Sequence, residues 1–250
     1  MIKRILCLVM VVAVISLSVY LLSESVGQST DFRDMDFGEG RLEKLYDFSK
    51  NSHLDFYQLL ATSMFRVNIP NKKLEELYRM VLGDFKCFPI PADQKTGKLE
   101  VAYENSWKEQ RSYGGERVHE GCDIMGTNRP SGYYPVISVS DGVVEKIGWL
   151  KLGGWRIGIR SKSGVYFYYA HLNDYFKKFK EGEEVKAGQI LGFMGDSGYS
   201  EVEGTTGNFP SHLHFGVYIR TDLSDEVSIN PYYILKFYEK DLVYYSYINR

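Results

Sequence analysis

Residues 135–171 read PVISVSDGVVEKIGWLKLGGWRIGIRSKSGVYFYYAH, and this stretch decides the fold class. It holds short runs rich in β-branched and aromatic residues, each bounded by glycine or by a turn sequence. The runs cover residues 135–140, 142–149, 155–160 and 165–171. Asp141-Gly142 and residues 161–164 (Ser-Lys-Ser-Gly) are typical of turns between adjacent strands. The sequence therefore predicts a mostly antiparallel β domain.

Upstream of this stretch, the spacing of apolar residues changes. From residue 41 to residue 84, apolar side chains recur at intervals of three and four, and Pro70 separates the last segment from those before it. This pattern predicts a small bundle of three helices. A spacer, a docking module and a plain structural cap would all fit such a bundle.

The N-terminal segment is typical of a membrane anchor. Lys3 and Arg4 precede an apolar run over residues 5–22, which a helix could place across much of a hydrocarbon core. The run is longer than the apolar core of a usual signal peptide, although its cleavage would give a secreted protein. Because the basic residues precede the run, we expect a single-pass protein of the cell membrane with everything after about residue 25 outside. The predicted parts are residues 1–25 (anchor), 26–86 (helical domain), 87–238 (catalytic β domain) and 239–250 (C-terminal tail, with no assigned chemistry).

Composition excludes two classes of protein. Lys and Arg number 30 against 32 Asp and Glu, so the chain lacks the excess of positive charge that is typical of a nucleic-acid-binding protein. The cysteines are Cys7, Cys87 and Cys122, which is too few for a disulfide framework. Cys87 and Cys122 could pair in an oxidising compartment, but two free, buried thiols are favoured.

Four of the five histidines lie in three short motifs of the β region. His119 and Asp123 are separated by a glycine-containing segment, where a bend can aim both side chains at one ion. His212 and His214 alternate with apolar residues, so a strand would place both imidazoles on one face. His171 follows Tyr-Tyr-Ala at the end of a predicted strand.

These residue types suit a zinc ion. Imidazole nitrogens and a carboxylate are zinc ligands, and a catalytic zinc typically keeps three protein ligands and one open position. Four histidines and one aspartate exceed that number, and hydrolysis also needs a base and a donor for the developing oxyanion. Because the four histidines cluster in these motifs, the alternative that they are separate core or surface residues that bind no metal is disfavoured. Spacing alone leaves open which of His171, His212 and His214 binds the metal.

The ordered set of motifs resembles the lysostaphin-type zinc endopeptidases over about residues 87–235. The resemblance rests on His-x-x-x-Asp at residues 119–123, Tyr-Ala-His at residues 169–171, and His-x-His at residues 212–214 followed by an apolar strand. It implies a compact antiparallel β fold of the duplicated hybrid motif type. No motif histidine is missing, in contrast to degenerate members of the family that have become binding modules.

The same resemblance implies the roles of the site residues. His119, Asp123 and His214 would hold one zinc ion, while His171 and His212 would polarise water and stabilise the tetrahedral intermediate. The implied substrates are the peptide stems or cross-bridges of peptidoglycan. Tyr113 and Tyr133 are candidates for lining the substrate groove. The chain has twenty tyrosines, so the sequence gives little reason to choose these two over the others.

Two alternative functions fit parts of the sequence. A non-catalytic, membrane-anchored scaffold could use the same fold to bind a cell-envelope partner, but the intact histidine motifs argue against it. Residues 182–195 are similar to the hairpin of lipoyl and biotinyl carrier domains. Lys186 lacks the carrier signature around it, so we interpret this segment as scaffold. The sequence does not predict an oligomeric state.

Overall fold

The computed structural model describes residues 80–112, 115–127, 129–221, 224–239 and 242–247. The predicted membrane segment and the predicted helical bundle up to residue 79 lie outside these ranges. Residues 80–84 are helical, which is where the predicted helical stretch ends. In the described ranges, no helix is long and apolar enough to cross a membrane.

Most of the regular secondary structure in the described ranges is β structure, and besides the helical residues 80–84 a short helix, α1 (Tyr232–Tyr238), follows the last long strands. The strands are β1 (Ala92–Asp93), β2 (Val101–Tyr103), β3 (Gln110–Arg111), β4 (Arg117–Val118), β5 (Cys122–Gly126), β6 (Pro135–Ile137), β7 (Gly142–Leu150), β8 (Gly154–Arg160), β9 (Tyr166–Tyr175), β10 (Glu184–Val185), β11 (Ile190–Met194), β12 (His212–Thr221), β13 (Ser224–Ile229) and β14 (Tyr244–Tyr245).

The principal sheet has ten strands and contains the order β10-β7-β8-β9-β12-β5-β2. Every pairing along this path is antiparallel. β11 pairs with β6 and β9, and β13 pairs with β12. The prediction of a mostly antiparallel β domain is confirmed.

The predicted hairpin over residues 182–195 is wrong. Its two short strands do not pair with each other: β10 pairs with β7, whereas β11 pairs with β6 and β9. Glycine-bounded apolar runs predicted the strands correctly, but the identity of the partner depends on contacts distant in the sequence.

The core lies under the principal sheet and follows the alternation of its strands. Ile157, Ile159, Phe167 and Phe215 are fully buried. Phe85, just after the helical turn, is also fully buried, and its ring centroid lies 5.8 Å from that of Phe167 and 6.0 Å from that of Phe215. Burying aromatic side chains of this size contributes much of the free energy that stabilises a small β domain.

The C-terminal residues pack onto the β domain. β14 forms a parallel pair with β1, and the hydroxyl of Tyr245 donates to the carbonyl of Gly188 at 2.8 Å. The ring of Tyr247 makes edge contacts with Tyr133 and Tyr134. Cys87 and Cys122 are both buried and free, as the sequence favoured.

Candidate metal centre

His119, Asp123 and His214 form a cluster that could hold one metal ion. Nε2 of His119, Oδ1 of Asp123 and Nδ1 of His214 are each 3.0 Å from the other two. Lone-pair atoms this close repel one another unless a proton or a cation lies between them. A point about 2.0–2.2 Å from all three atoms exists beside this triangle, which is the ligand distance that zinc prefers. The residues therefore fit the predicted ion.

The pairing of β5 with β12 positions this cluster. His214 lies directly opposite Asp123 across the antiparallel pair, so their side chains emerge side by side on one face. Gly121 allows the close approach: a Cβ at this position would lie 2.7 Å from Nε2 and Cε1 of His214 and 2.7 Å from the carbonyl of Phe215. A larger residue would push the imidazole away from the carboxylate.

A second set of contacts orients the ligand atoms. Nδ1 of His119 lies 3.0 Å from the carbonyl oxygen of Ser106 and 3.1 Å from Nη2 of Arg111; when Nδ1–H donates to that carbonyl, the lone pair on Nε2 faces the cluster. Nη2 of Arg111 donates to Oδ2 of Asp123 at 3.1 Å, which leaves Oδ1 for the ion. With that tautomer, Nε2 of His119 and Oδ1 of Asp123 are the atoms left to act as ligands.

His212 and His171 lie beside the cluster in similar settings. Nδ1 of His212 is 2.8 Å from the carbonyl of Pro210, and Nδ1 of His171 is 2.8 Å from the carbonyl of Ser197. Both rings therefore carry their proton on Nδ1 and a lone pair on Nε2. Nε2 of His212 lies 3.8 Å from Oδ1 of Asp123. The ring centroids of His212 and His171 are 4.7 Å apart. The structure thus brings the four histidines of the three motifs together in one region.

Burial and neighbouring groups together shift the pKa values of three residues at the site. It lowers the pKa of His171 to about 3, with help from His212 and His214, so this imidazole is neutral near pH 7. Burial also lowers the pKa of His214, against the effect of Asp123. For Asp123, burial alone would raise the pKa, but the adjoining imidazoles of His119 and His214 hold the pKa of this carboxyl well below its usual range.

Cys122 does not belong to the cluster. Its side chain is 1% exposed, and its thiol contacts the carbonyl of Glu104 at 3.4 Å. Burial and then the charge of Asp123 raise its pKa well above the usual range, so the thiol is neutral. The alternation of β5 thus places Cys122 and Asp123 on opposite faces.

The cluster lies in a cleft of about 510 Å³. Tyrosines supply much of its wall: Tyr168, whose ring centroid is 5.9 Å from that of His214, Tyr199 and Tyr218. Burial raises the pKa of Tyr168 and of Tyr218 well above the usual range, so their phenols stay protonated and can donate. The cleft is large enough for several residues of a peptide.

Sequence reasoning missed part of this site. Tyr133 does not line the cleft, since it packs against Tyr134 and Tyr247, and Tyr113 lies outside the described residues. Ser106 and Arg111 carry no local signal, because they lie outside the motifs, thirteen and eight residues before His119, and reach the ligands from a loop and a short strand. Tyr168 could have been found, since it alternates with buried Phe167 and Tyr169 on a strand leading to His171.

Comparison with known proteins gives a consistent answer. The sequence model of peptidase family M23 matches residues 117–231. The chain is 42% identical over 156 residues to an L-Ala–D-Glu endopeptidase of Bacillus subtilis (strain 168), covering 62% of this chain and 44% of that protein. It is 37% identical over 103 residues to lysostaphin of Staphylococcus simulans, covering 39% of this chain and 17% of that protein. The chain thus spans less than half the length of these relatives.

A solved structure extends the likeness beyond the motif region. A protein of Ruminococcus gnavus ATCC 29149, described as a candidate glycyl-glycine endopeptidase LytM, is 42% identical with a TM-score of 0.66. That match covers 84% of this chain and 85% of the other. The resemblance inferred from the histidine motifs is confirmed, and the chain belongs to peptidase family M23.

Proposed function

We propose that this protein is a zinc endopeptidase that hydrolyses peptide bonds in peptidoglycan. The observation that carries the proposal is the triangle of ligand atoms of His119, Asp123 and His214, 3.0 Å on each side, at the floor of an open cleft. A purely structural zinc site would close its shell with a fourth protein ligand. Here two further imidazoles lie beside three candidate ligands, which fits hydrolysis better than a structural role.

The candidate ligands would hold one zinc ion. When bound, zinc supplies Lewis-acid polarisation and lowers the pKa of a water molecule toward about 7. Nε2 of His119 and Nδ1 of His214 would be the nitrogen ligands, and Asp123 offers one carboxylate oxygen while Arg111 engages the other. This donor set matches the nitrogen and oxygen preference of zinc.

The other two histidines would move protons. With Nδ1–H held by backbone carbonyls, Nε2 of His171 and Nε2 of His212 can each accept a proton from an attacking water. The imidazolium formed can then stabilise the oxyanion or protonate the leaving amine. The surrounding aromatic rings of Tyr199 and Phe209 pack against His171 and exclude bulk water from it.

The charge of the cleft favours a stem peptide over a glycine bridge. Its walls hold the cations Arg111, Arg117 and Lys151 against the carboxylates Glu120 and Asp123. Lys151 also contacts exposed Glu201 at 2.7 Å, a surface pair that a substrate carboxylate can exchange with at little cost. A stem residue such as D-Glu carries a carboxylate, whereas a glycine bridge is uncharged. The B. subtilis relative is named for the L-Ala–D-Glu bond of a stem peptide, and the R. gnavus protein for the glycyl-glycine bond of a bridge.

We also propose that the peptidase domain acts outside the cell membrane, held there by residues 1–25 acting as an anchor. This location follows from the apolar run and the basic residues before it. It would place the cleft where peptidoglycan is found.

One experiment tests the activity and the bond together. The purified full chain is analysed for metal, then incubated with isolated cell walls, with an L-Ala–γ-D-Glu peptide and with pentaglycine, and the products are identified by mass spectrometry. We expect one zinc per chain, soluble wall peptides, and faster hydrolysis of the acidic peptide. A zinc-loaded protein that releases no peptide from any of these substrates would contradict the proposal and favour the non-catalytic scaffold.

A further inference from the structure

The backbone of His171 is irregular. Across β8 and β9, Trp155 lies opposite Leu172 and Ile157 lies opposite Tyr169, so β9 carries one extra residue at this point. His171 has a φ of 61°, a left-handed conformation that non-glycine residues rarely adopt. A β-bulge of this kind turns a side chain out of the normal alternation of its strand. Because the conformation is unfavourable by itself, neighbouring groups must hold it.

Ser197 supplies the contacts that hold this bulge. Its hydroxyl accepts a hydrogen bond from the backbone N–H of Trp155 at 3.0 Å and donates one to the carbonyl of Leu172 at 2.6 Å. The hydroxyl thus joins β8 to β9 beside the extra residue. The carbonyl of Ser197 accepts the Nδ1–H of His171 at 2.8 Å. One buried residue therefore contacts both strands and the imidazole.

The packing around Ser197 leaves it little room to move. Ser197 is 0% exposed. A Cβ on Gly154 would lie 2.2 Å from the Ser197 carbonyl oxygen, and a Cβ on Gly198 would lie 2.6 Å from the carbonyl of Leu152. The Ser197 backbone therefore packs directly against Gly154, the first residue of β8. The backbone N–H of His171 donates to the carbonyl of Gly153 at 2.8 Å.

We propose that Ser197 is the positioning residue of His171: its hydroxyl maintains the bulge and its carbonyl selects the Nδ1–H tautomer, which presents the Nε2 lone pair to the cleft. The hydroxyl and the carbonyl act together, because the carbonyl lies at the imidazole only while the hydroxyl joins the strands. The activity part of this inference rests on the proposed function, whereas the tautomer part does not.

The test compares Ser197→Ala with Ser138→Ala in the zinc-loaded full chain. Ser138 is a matched control, because it is also 0% exposed and donates its hydroxyl to a carbonyl, that of Ser140 at 2.7 Å, but does not line the cleft. We expect Ser197→Ala to keep its zinc and to lose about 10–100-fold in kcat, with KM changed less than about threefold. Ser138→Ala should change neither constant by more than about threefold.

Long-range ¹H–¹⁵N correlation spectra give a readout that a merely structural role would not move. His171 should show one Nδ1–H tautomer in the wild type and in Ser138→Ala, and a mixture of tautomers in Ser197→Ala. Ser197→Cys keeps a weaker donor at nearly the same volume and should lie between the two. It replaces Ser197→Ala if that variant does not fold.

The inference is overturned if folded Ser197→Ala or Ser197→Cys retains the single wild-type tautomer and a kcat equal to that of Ser138→Ala. If the wild type hydrolyses no peptide but the tautomer changes as expected, the proposed function fails and the positioning role stands.

Discussion

Two regions of one sheet bring histidines to this cleft, and they do so in opposite ways. Between β5 and β12 the pairing is regular, and His214 faces Asp123 directly. In β9 the pairing is interrupted, and His171 reaches the cleft from a bulge with a φ of 61°. Regular alternation brings the candidate ligands Asp123 and His214 together and places His212 on the same face of β12, whereas His171 needs an orientation that the alternation of β9 does not provide. Metal binding and proton transfer should therefore be separable by mutation.

The largest effect is expected in the regular region, from His214→Ala. Removing this nitrogen takes one of three candidate ligands and leaves His119 and Asp123 with an incomplete site. Zinc affinity should fall at least about 100-fold, and activity on cell walls should fall to background, because structural zinc binding as a whole is worth about 10–16 kcal/mol. Competition with a chromogenic chelator measures the affinity. Retention of tightly bound zinc would show that the ligands lie elsewhere.

In the irregular region, His171→Ala should separate the two functions. The variant should keep one zinc per chain, since His171 lies outside the triangle of ligand atoms, and should lose about 10²–10⁴-fold in kcat, the usual contribution of a general base. Metal analysis and steady-state kinetics on the same preparation check both outcomes. Turnover at the wild-type rate would remove His171 from the mechanism, and loss of zinc would erase the distinction between the two regions.

The same contrast explains how much the sequence could predict. The two-residue period of a strand placed His212 and His214 on one face, because alternation is local. The bulge at His171 depends on Ser197, which is twenty-six residues further along the chain. The groups that orient the ligands, Ser106 and Arg111, likewise act through tertiary contacts. Roles could be assigned only through the family resemblance, since spacing does not tell a ligand from a base.

A smaller effect is expected from Gly121→Ala, which perturbs the regular region without removing a ligand. Its Cβ would lie 2.7 Å from the His214 ring and from the carbonyl of Phe215, so β12 or the imidazole must shift. Overpacking of this kind typically costs about 1–3 kcal/mol, and the displaced ring should weaken zinc binding about tenfold. Denaturant unfolding and chelator competition measure the two effects.

Gly83→Ala is the matched control for that variant. A Cβ at Gly83 meets nothing within 4 Å, so stability and zinc affinity should stay within error of the wild type or stability should rise slightly. If Gly121→Ala behaved like Gly83→Ala, the close approach of Gly121 to His214 would not matter for the site.

The smallest effect is expected from Cys122→Ala, which tests the alternation of β5 from its other face. Burial raises the pKa of the thiol well above its usual range, and the side chain points away from the ion, so a thiolate ligand is not available at pH 7. Zinc content should remain one per chain and activity should stay within about threefold, while the lost buried sulfur costs about 1 kcal/mol of stability. Cys87→Ala, which removes a second buried thiol whose pKa burial raises to about 11, should behave in the same way. If Cys122→Ala alone lost zinc, β5 would present both faces to the metal, and the regular pairing with β12 could not be what selects the ligands.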